Sequence, residues 1–173
     1  MDKLQGFTPD ADTTQPGILT DCTNFIPYEK GMKGAPSLVT PSSVPALAAA
    51  CNGSAIVTKL DDSRRVFAGT TTALYELSGG SWTAVTRGTG AYTGGSDTRW
   101  SFAQFGDATL AADLTDTIQR SNGSGAFADI ATAPKAKIIF SVGAFVMALN
   151  TVDGTYGTSP DRWWCCASSD DTS

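Results

Sequence analysis

Histidine does not occur in this chain. Its absence removes the commonest general acid-base group and the commonest metal ligand, which argues against many enzyme classes at once. Charge is also scarce, at 17% of 173 residues, where a globular domain usually carries about a quarter. So low a fraction suggests surface committed to partners. What charge there is sums to −5, from 17 acidic and 12 basic residues, so a face tracking nucleic-acid phosphates has to be a local exception. Direct sequence-specific reading of DNA is not expected.

No apolar run approaches the roughly 18 residues of a membrane-spanning helix, and the longest candidate, "VPALAAACNGSAIV", is broken by Asn52 and Gly53. No membrane insertion is expected. The opening "MDKLQGFTPDADTT" has carboxylates and a proline where a secretory signal needs an apolar core. Cys22, Cys51, Cys165 and Cys166 are too few and too irregularly spaced for a disulfide framework or a zinc site. They read as reduced, mostly buried thiols of a protein made in a cytosol.

What the chain does have is punctuation. Pro9, Pro16, Pro27, Pro36, Pro41 and Pro45 interrupt residues 1–45, so neither a long helix nor a central strand is expected there. Phe7, Ile18, Leu19, Phe25, Ile26 and Leu38 recur along this extended arm and give it apolar anchors for its own domain or a neighbour. Ala46 to Ala50 is the one stretch that reads as a helical turn.

From residue 46 to 173 the texture is that of short strands. "SAIVTKL" and "RRVFAGT" flank the turn "DDS", and "TTALYEL" and "SWTAVT" flank "SGG", which predicts four consecutive antiparallel strands from Ser54 to Thr86. The pattern recurs. Laying residues 66–80 over 110–124, at an offset of 44, aligns Ala68 with Ala112, Leu74 with Ile118 and Gly79 with Gly123. One inserted residue then places Trp82 against Phe127 and Val85 against Ile130. Residues 142–150 similarly match 105–113, with Gly143 over Gly106 and Ala148 over Ala112.

A four-stranded unit repeating at about 40 to 45 residues matches a β-propeller blade, with an ordinary β-sandwich as the other fold that fits such spacing. The expected fold is all-β: an extended proline-rich arm over 1–45, then the first blades of a partial propeller over 46–173. About three blades fit, fewer than a closed ring needs. In "SPDRWWCCASSDDTS", Ser159 to Asp161 read as a turn, Arg162 to Ala167 as a strand and Ser168 to Thr172 as another turn. A strongly apolar strand with nothing after it leads to the expectation that this is the front part of a longer protein.

Several residues invite sharper chemistry. Cys165 and Cys166 form a vicinal pair, but alternation along a strand sends one inward and one outward, which favours packing over redox work. The same alternation splits Trp163 from Trp164. Aspartates 10 and 12, 61 and 62, and 170 and 171 suggest a glycosidase or a calcium loop, yet neighbouring turn aspartates are usually turn formers. "GTGAYTGG" (88–95) has the composition of a phosphate loop without its Gly-Lys-Ser/Thr end, and reads as a connection between blades. The Asn-Gly-Ser triplets at 52 and 122 read as turns. No catalytic residue, cofactor or metal site is expected.

"FTPDADTTQPGILTDCTNFIPYEKGMKGAPS", with Asp21, Asn24 and Pro27 spaced as Asp-x-x-Asn-x-x-Pro, is followed by "RRVFAGTTTALYEL", "RWSFAQFGDATLAA", "APKAKIIFSVGAFVMAL" and the Ser-Pro-Asp-Arg run at 159–162. In this order the segments resemble the N-terminal part of the tail nozzle proteins of short-tailed bacteriophages, also called tail tubular B or tail stabilisation proteins. The resemblance implies a structural virion protein, not an enzyme, made in the host bacterial cytoplasm and located in the tail. It implies a propeller-bearing subunit of a six-fold ring below the portal and adaptor rings, contacting the head-to-tail adaptor and the tail fibres or spikes. Double-stranded DNA would pass through the channel without sequence-specific binding, and an acidic wall would let it slide. The other functional reading is a glycan-binding propeller for host-surface attachment, with Trp82, Trp100, Tyr92 and Trp164 as stacking candidates.

Overall fold

The computed structural model describes residues 6–7, 9–12, 14, 18–19, 21, 23–28, 31–37, 39 and 42–172. Among these the chain is all-β, with no helix. It divides into two compact units, Met1–Pro41 and Ser42–Ser173.

In the first unit β1 (Gly6–Phe7) pairs parallel with β2 (Ile18–Leu19), and β3 (Phe25–Tyr28) forms an antiparallel hairpin with β4 (Gly31–Gly34). Pro27 sits in this ribbon, in which each strand pairs on one side only among the described residues, a setting that tolerates a missing N–H. Of the expected anchors, Phe25 is exposed and Ile26 half-buried. The side chains of Phe7, Ile18, Leu19 and Leu38, together with Cys22, Pro16 and Pro41, lie outside the described residues.

The second unit is three antiparallel sheets in sequence order. The first holds β5 (Gly53–Thr58), β6 (Arg64–Gly69), β7 (Leu74–Ser78) and β8 (Ser81–Ala84), each hydrogen-bonded to the next. The second repeats this path with β9 (Ser101–Phe105), β10 (Ala108–Ala112), β11 (Gln119–Asn122) and β12 (Ala128–Asp129). The third has three longer strands, β13 (Lys135–Val142), β14 (Phe145–Asp153) and β15 (Gly157–Cys165). Both hairpins expected between Ser54 and Thr86 are present, in the expected order.

The sequence repeat has a hydrogen-bonding counterpart. Val85 N donates to Leu74 O at 2.8 Å, and Ile130 N donates to Ile118 O at 3.0 Å, so the paired positions close their sheets in the same way. Gly79 (φ 59°) and Gly123 (φ 71°) follow the third strand of each sheet. Gly106 and Gly143 both open two-residue hairpin turns with φ of 57°, a left-handed conformation that glycine adopts without the steric cost borne by other residues.

Directly paired residues share a face, so the registers divide each of these sheets into two faces, called forward and rear, the forward face of the first meeting the rear face of the second and the forward face of the second meeting the rear face of the third. Val57, Phe67 and Leu74 on the forward face of the first sheet pack with Phe102, Ala111 and Phe127 on the rear face of the second. Leu110, Ala112, Ile118 and Ile130 on the forward face of the second then pack against Ile139, Val146 and Ala148 of the third. The middle sheet is therefore apolar on both sides, and all five residues of β10 are buried.

Two local expectations need correction. Ala46 to Ala50 forms no helical turn; five residues are too few to offset the cost of helix nucleation, and Leu47 instead lines a groove with Trp82. Ser159 to Asp161 is not a turn but part of β15. The register of β15 shifts opposite Leu149 to Thr151, with Asn150 at φ 52°, and this bulge accommodates Pro160 in an edge strand. The turn lies earlier, between Asp153 and Gly157. Ser168 and Ser169 do form a turn, closed by an Ala167–Asp170 bridge.

Candidate functional site

The chemistry-bearing residues of the second unit gather at the joints between sheets. Arg65 stands one position from Arg64 but on the forward, inward face, in register with Val57 and flanking Phe67. It is 5% exposed. Its Nε and Nη2 donate to the two carboxylate oxygens of Glu76 at 2.7 and 2.8 Å. Nη1 reaches across to Ser121 Oγ in β11 at 2.9 Å and Nη2 to the Gly125 carbonyl, in the connection from β11 to β12, at 3.2 Å. The guanidinium also lies 4.6 Å from the centre of the Phe67 ring. One side chain thus makes four hydrogen bonds while tying two sheets together.

A second polar joint uses the segment 88–95, which connects the first sheet to the second. Arg87 Nη2 pairs with Asp116 and Nη1 with Asp129, each at 2.8 Å. Thr89 Oγ1 and Gln119 Nε2 also donate to Asp129, and Thr93 N donates to Asp116. Burial alone would push the Asp129 carboxyl up, but hydrogen bonds from Gln119, Arg87 and Thr89 and the Arg87 charge outweigh it and bring it down to about 2. Burial works against the Arg87 charge as well, yet the two carboxylates hold its pKa above the usual arginine value. Tyr92, from the same segment, is buried under Arg87, and that burial pushes its phenol up.

Between the two polar joints sits an aromatic cluster. Phe127 meets Phe67 edge-on at 5.3 Å, and Tyr92 meets Trp100 edge-on at 4.8 Å. Trp100 Nε1 donates to Thr70 O at 2.8 Å and Trp100 N to Asn52 O at 3.0 Å. The indole lies over Gly69, where a methyl group would stand 2.6 Å from Trp100 Cγ and Nε1, and the Trp100 backbone lies over Gly53, where a methyl group would stand 2.7 Å from its carbonyl oxygen and 2.8 Å from Cβ.

These placements change the reading of several singled-out residues. Trp100 and Tyr92 are 7% and 2% exposed, core residues with no face free for sugar stacking. Trp82 and Trp164 are half-buried and lie on different sheets. Trp163 and Trp164 face opposite ways as alternation requires, Trp163 60% exposed and Trp164 packed on the second core. Cys166 likewise packs inward and its Sγ accepts from Val146 N at 3.1 Å, while Cys165 is exposed. Cys51 is also exposed, so of the described cysteines only Cys166 approaches the expected burial. The three are free thiols.

The paired aspartates make local bonds. Asp12 accepts from Thr14, Asp61 from Ser63 and Asp170 from Thr172, in each case from both backbone N–H and hydroxyl. Asp171 instead pairs with Arg120 at 2.6 Å. Asn122 leads into a turn, but Asn52 stands at a bend before β5, donating its side-chain amide to Thr71. The polar joints themselves escaped the sequence reading. Their signal was present in Arg65, a charge at an inward strand position, and in Asp113 and Asp116 set among threonines.

No protein-family profile matches the chain, and none of the curated proteins compared with it matches either.

Proposed function

We propose that residues 42–173 are consecutive blades of a β-propeller in a structural subunit of a phage tail nozzle, a ring of six copies that extends the portal channel and conducts DNA. The observation that carries this reading is the stacking of three sequential antiparallel sheets, face on face, with forward-facing residues recurring at offsets of 44 and 45. Propeller blades pack in this manner, each strand meander covering its neighbour. The ordered segments from "FTPDADTT" to "SPDRWW" supply the link to tail proteins.

The use of charge is in keeping with a mechanical role. Arg65, Glu76, Arg87, Asp116 and Asp129 are committed to joints within and between sheets. Such bidentate, partly buried pairs resist sliding of one sheet over the next more than they attract a ligand. A negative chain, at −5, also suits a channel wall that a polyanion must leave freely.

The test is to locate the chain in a virion. An antibody or gold label on this chain, imaged by electron microscopy, is expected at the tail below the capsid vertex in a six-fold ring. A label on the capsid wall or at fibre tips would refute the assignment. A glycan array probed with the same chain is expected to stay blank, and saturable sugar binding would favour the host-attachment reading instead.

A further inference from the structure

The triplet Asn-Gly-Ser occurs twice, at 52–54 and 122–124, and the fold treats the two copies differently. Asn122 is the last residue of β11, exposed, and leads into a turn in which Gly123 takes φ of 71°. A methyl group at Gly123 would come no nearer than 3.6 Å to the Asp107 carbonyl oxygen, so this turn has room to change shape. The Gly123 N–H donates to Ser121 O at 3.1 Å across a single residue, the bent contact of a γ-turn.

Asn52 has the opposite setting. It is 9% exposed, its side-chain amide donates to Thr71 Oγ1 at 3.2 Å, its N–H to Gly69 O at 2.7 Å, and its carbonyl accepts from Trp100 N at 3.0 Å. Turning the peptide between residues 52 and 53 breaks these bonds.

An asparagine followed by glycine has a reaction of its own, because glycine has no side chain to shield its nitrogen. Hydroxide removes the Gly123 N–H proton, the nitrogen bonds to Asn122 Cγ, the Cγ–Nδ2 bond breaks, and ammonia leaves with a proton returned by water. The product is a five-membered imide. Water then adds to one of its two carbonyls: breaking the N–Cγ bond gives aspartate, and breaking the bond to the main-chain carbonyl gives isoaspartate, whose main chain is one carbon longer. No oxidant or reductant is needed.

We propose that Asn122 is a self-modifying site, converted spontaneously to aspartate and isoaspartate, and that the isoaspartate loosens the Arg65 joint. That joint straddles the reacting residue. Arg65 Nη1 donates to Ser121 Oγ on one side of it and Nη2 to Gly125 O on the other, while Ser121 Oγ itself donates to Gly125 O at 3.0 Å. One added carbon between 121 and 125 removes the match. Either product also brings a carboxylate, ionised at neutral pH, to a turn bordering Asp107, whose Oδ1 accepts from Leu60 N at 2.9 Å as a further tie between the first two sheets. Asn122 is thus a clock set on one joint, whatever assembly the chain serves.

The experiment ages the purified chain at mildly alkaline pH, digests samples briefly with trypsin, and follows asparagine, aspartate and isoaspartate by peptide mass spectrometry. Cleavage after Lys33, Lys59, Arg120 and Lys135 leaves Asn52 and Asn122 as the sole asparagines of their peptides. Freeing Asn52 means breaking two main-chain hydrogen bonds, so Asn122 is expected to convert roughly 10- to 100-fold faster in the folded chain, and at a similar rate to Asn52 in urea. Hydrogen exchange at β6 and β11 is expected to quicken in the aged chain and to stay as it was at β13 to β15. Asn122→Gln, whose longer side chain closes such a ring far less readily, is expected to age without that change, and Asn122→Ser replaces it if it does not fold. An Asn122 that survives in the folded chain while converting in urea would overturn the site. Equal folded-state rates at 52 and 122 would refute selection by the fold. Conversion without faster exchange at β6 and β11, or the same quickening in Asn122→Gln, would refute the loosening of the joint.

Discussion

Replacing Gly69 by alanine adds one methyl group, and the structure makes its cost calculable. The new Cβ would stand 2.6 Å from Trp100 Cγ and Nε1, well inside van der Waals contact. The indole has little freedom to retreat, because its Nε1 is bonded to Thr70 O and its other side meets Tyr92 at 4.8 Å. Overpacking a core position costs about 1–3 kcal/mol. If Trp100 swings out, its buried hydrogen bond is lost as well, at about 1–3 kcal/mol. Gly69→Ala is therefore expected to destabilise the chain by about 3 kcal/mol, a large part of the roughly 5–15 kcal/mol available to a domain. In urea denaturation followed by tryptophan fluorescence, that loss moves the midpoint down by about 1.5 M at a slope near 2 kcal/mol/M. Gly88→Ala, with no atom within 4 Å of the added methyl, is the control and is expected to be neutral. Shrinking the ring with Trp100→Phe in the Gly69→Ala background should recover part of the loss through the coupling of the two sites. A Gly69→Ala protein within about 0.5 kcal/mol of wild type would refute the claim that Trp100 is clamped, since this is the size of an ordinary surface substitution.

Two further outcomes follow from the joints. Asp129 is held near a pKa of about 2 in the folded chain, whereas an unfolded aspartate titrates near 4, so its stabilisation is complete above about pH 5 and is lost as the pH falls toward 2. Allowing for solvent screening of a partly exposed carboxylate, Asp129→Asn should cost about 1 kcal/mol at neutral pH and flatten the fall of the urea midpoint between pH 5 and 2, so parallel profiles for the two proteins would contradict it. Iodoacetamide followed by peptide mass spectrometry should modify Cys165 before Cys166, because Cys166 is packed inward whereas Cys165 is exposed; equal rates would contradict the facing of β15.

The strands and their order were readable because turn residues and alternation are local properties. "DDS" and "SGG" mark hairpins wherever they stand, and Trp163 and Trp164 must face opposite ways in any strand. The offset of 44 was readable in part: Leu74 and Ile118 take the same forward place in their sheets, whereas Ala68 lies on the rear face of the first sheet and Ala112 on the forward face of the second. What escaped was long-range. Pro160 looked like a turn residue because nothing nearby indicates that Asn150, on another strand, provides a bulge opposite it. Tyr92 and Trp100 looked like exposed aromatics because the glycines that receive Trp100, at 53 and 69, lie far back in the chain. Arg65 and Glu76 are eleven residues apart, and their pairing follows from the register of β6 with β7, which no local motif announces.

The bulge in β15 has a consequence for how this molecule can grow. An outermost strand with a regular ladder of unpaired amides is a template onto which another chain can zip. Pro160 has no amide hydrogen to offer, and the shifted register beside it breaks the spacing an incoming strand would have to match. Among the described residues β15 pairs only with β14, and a further strand aligned along its other side would meet a broken ladder at Pro160.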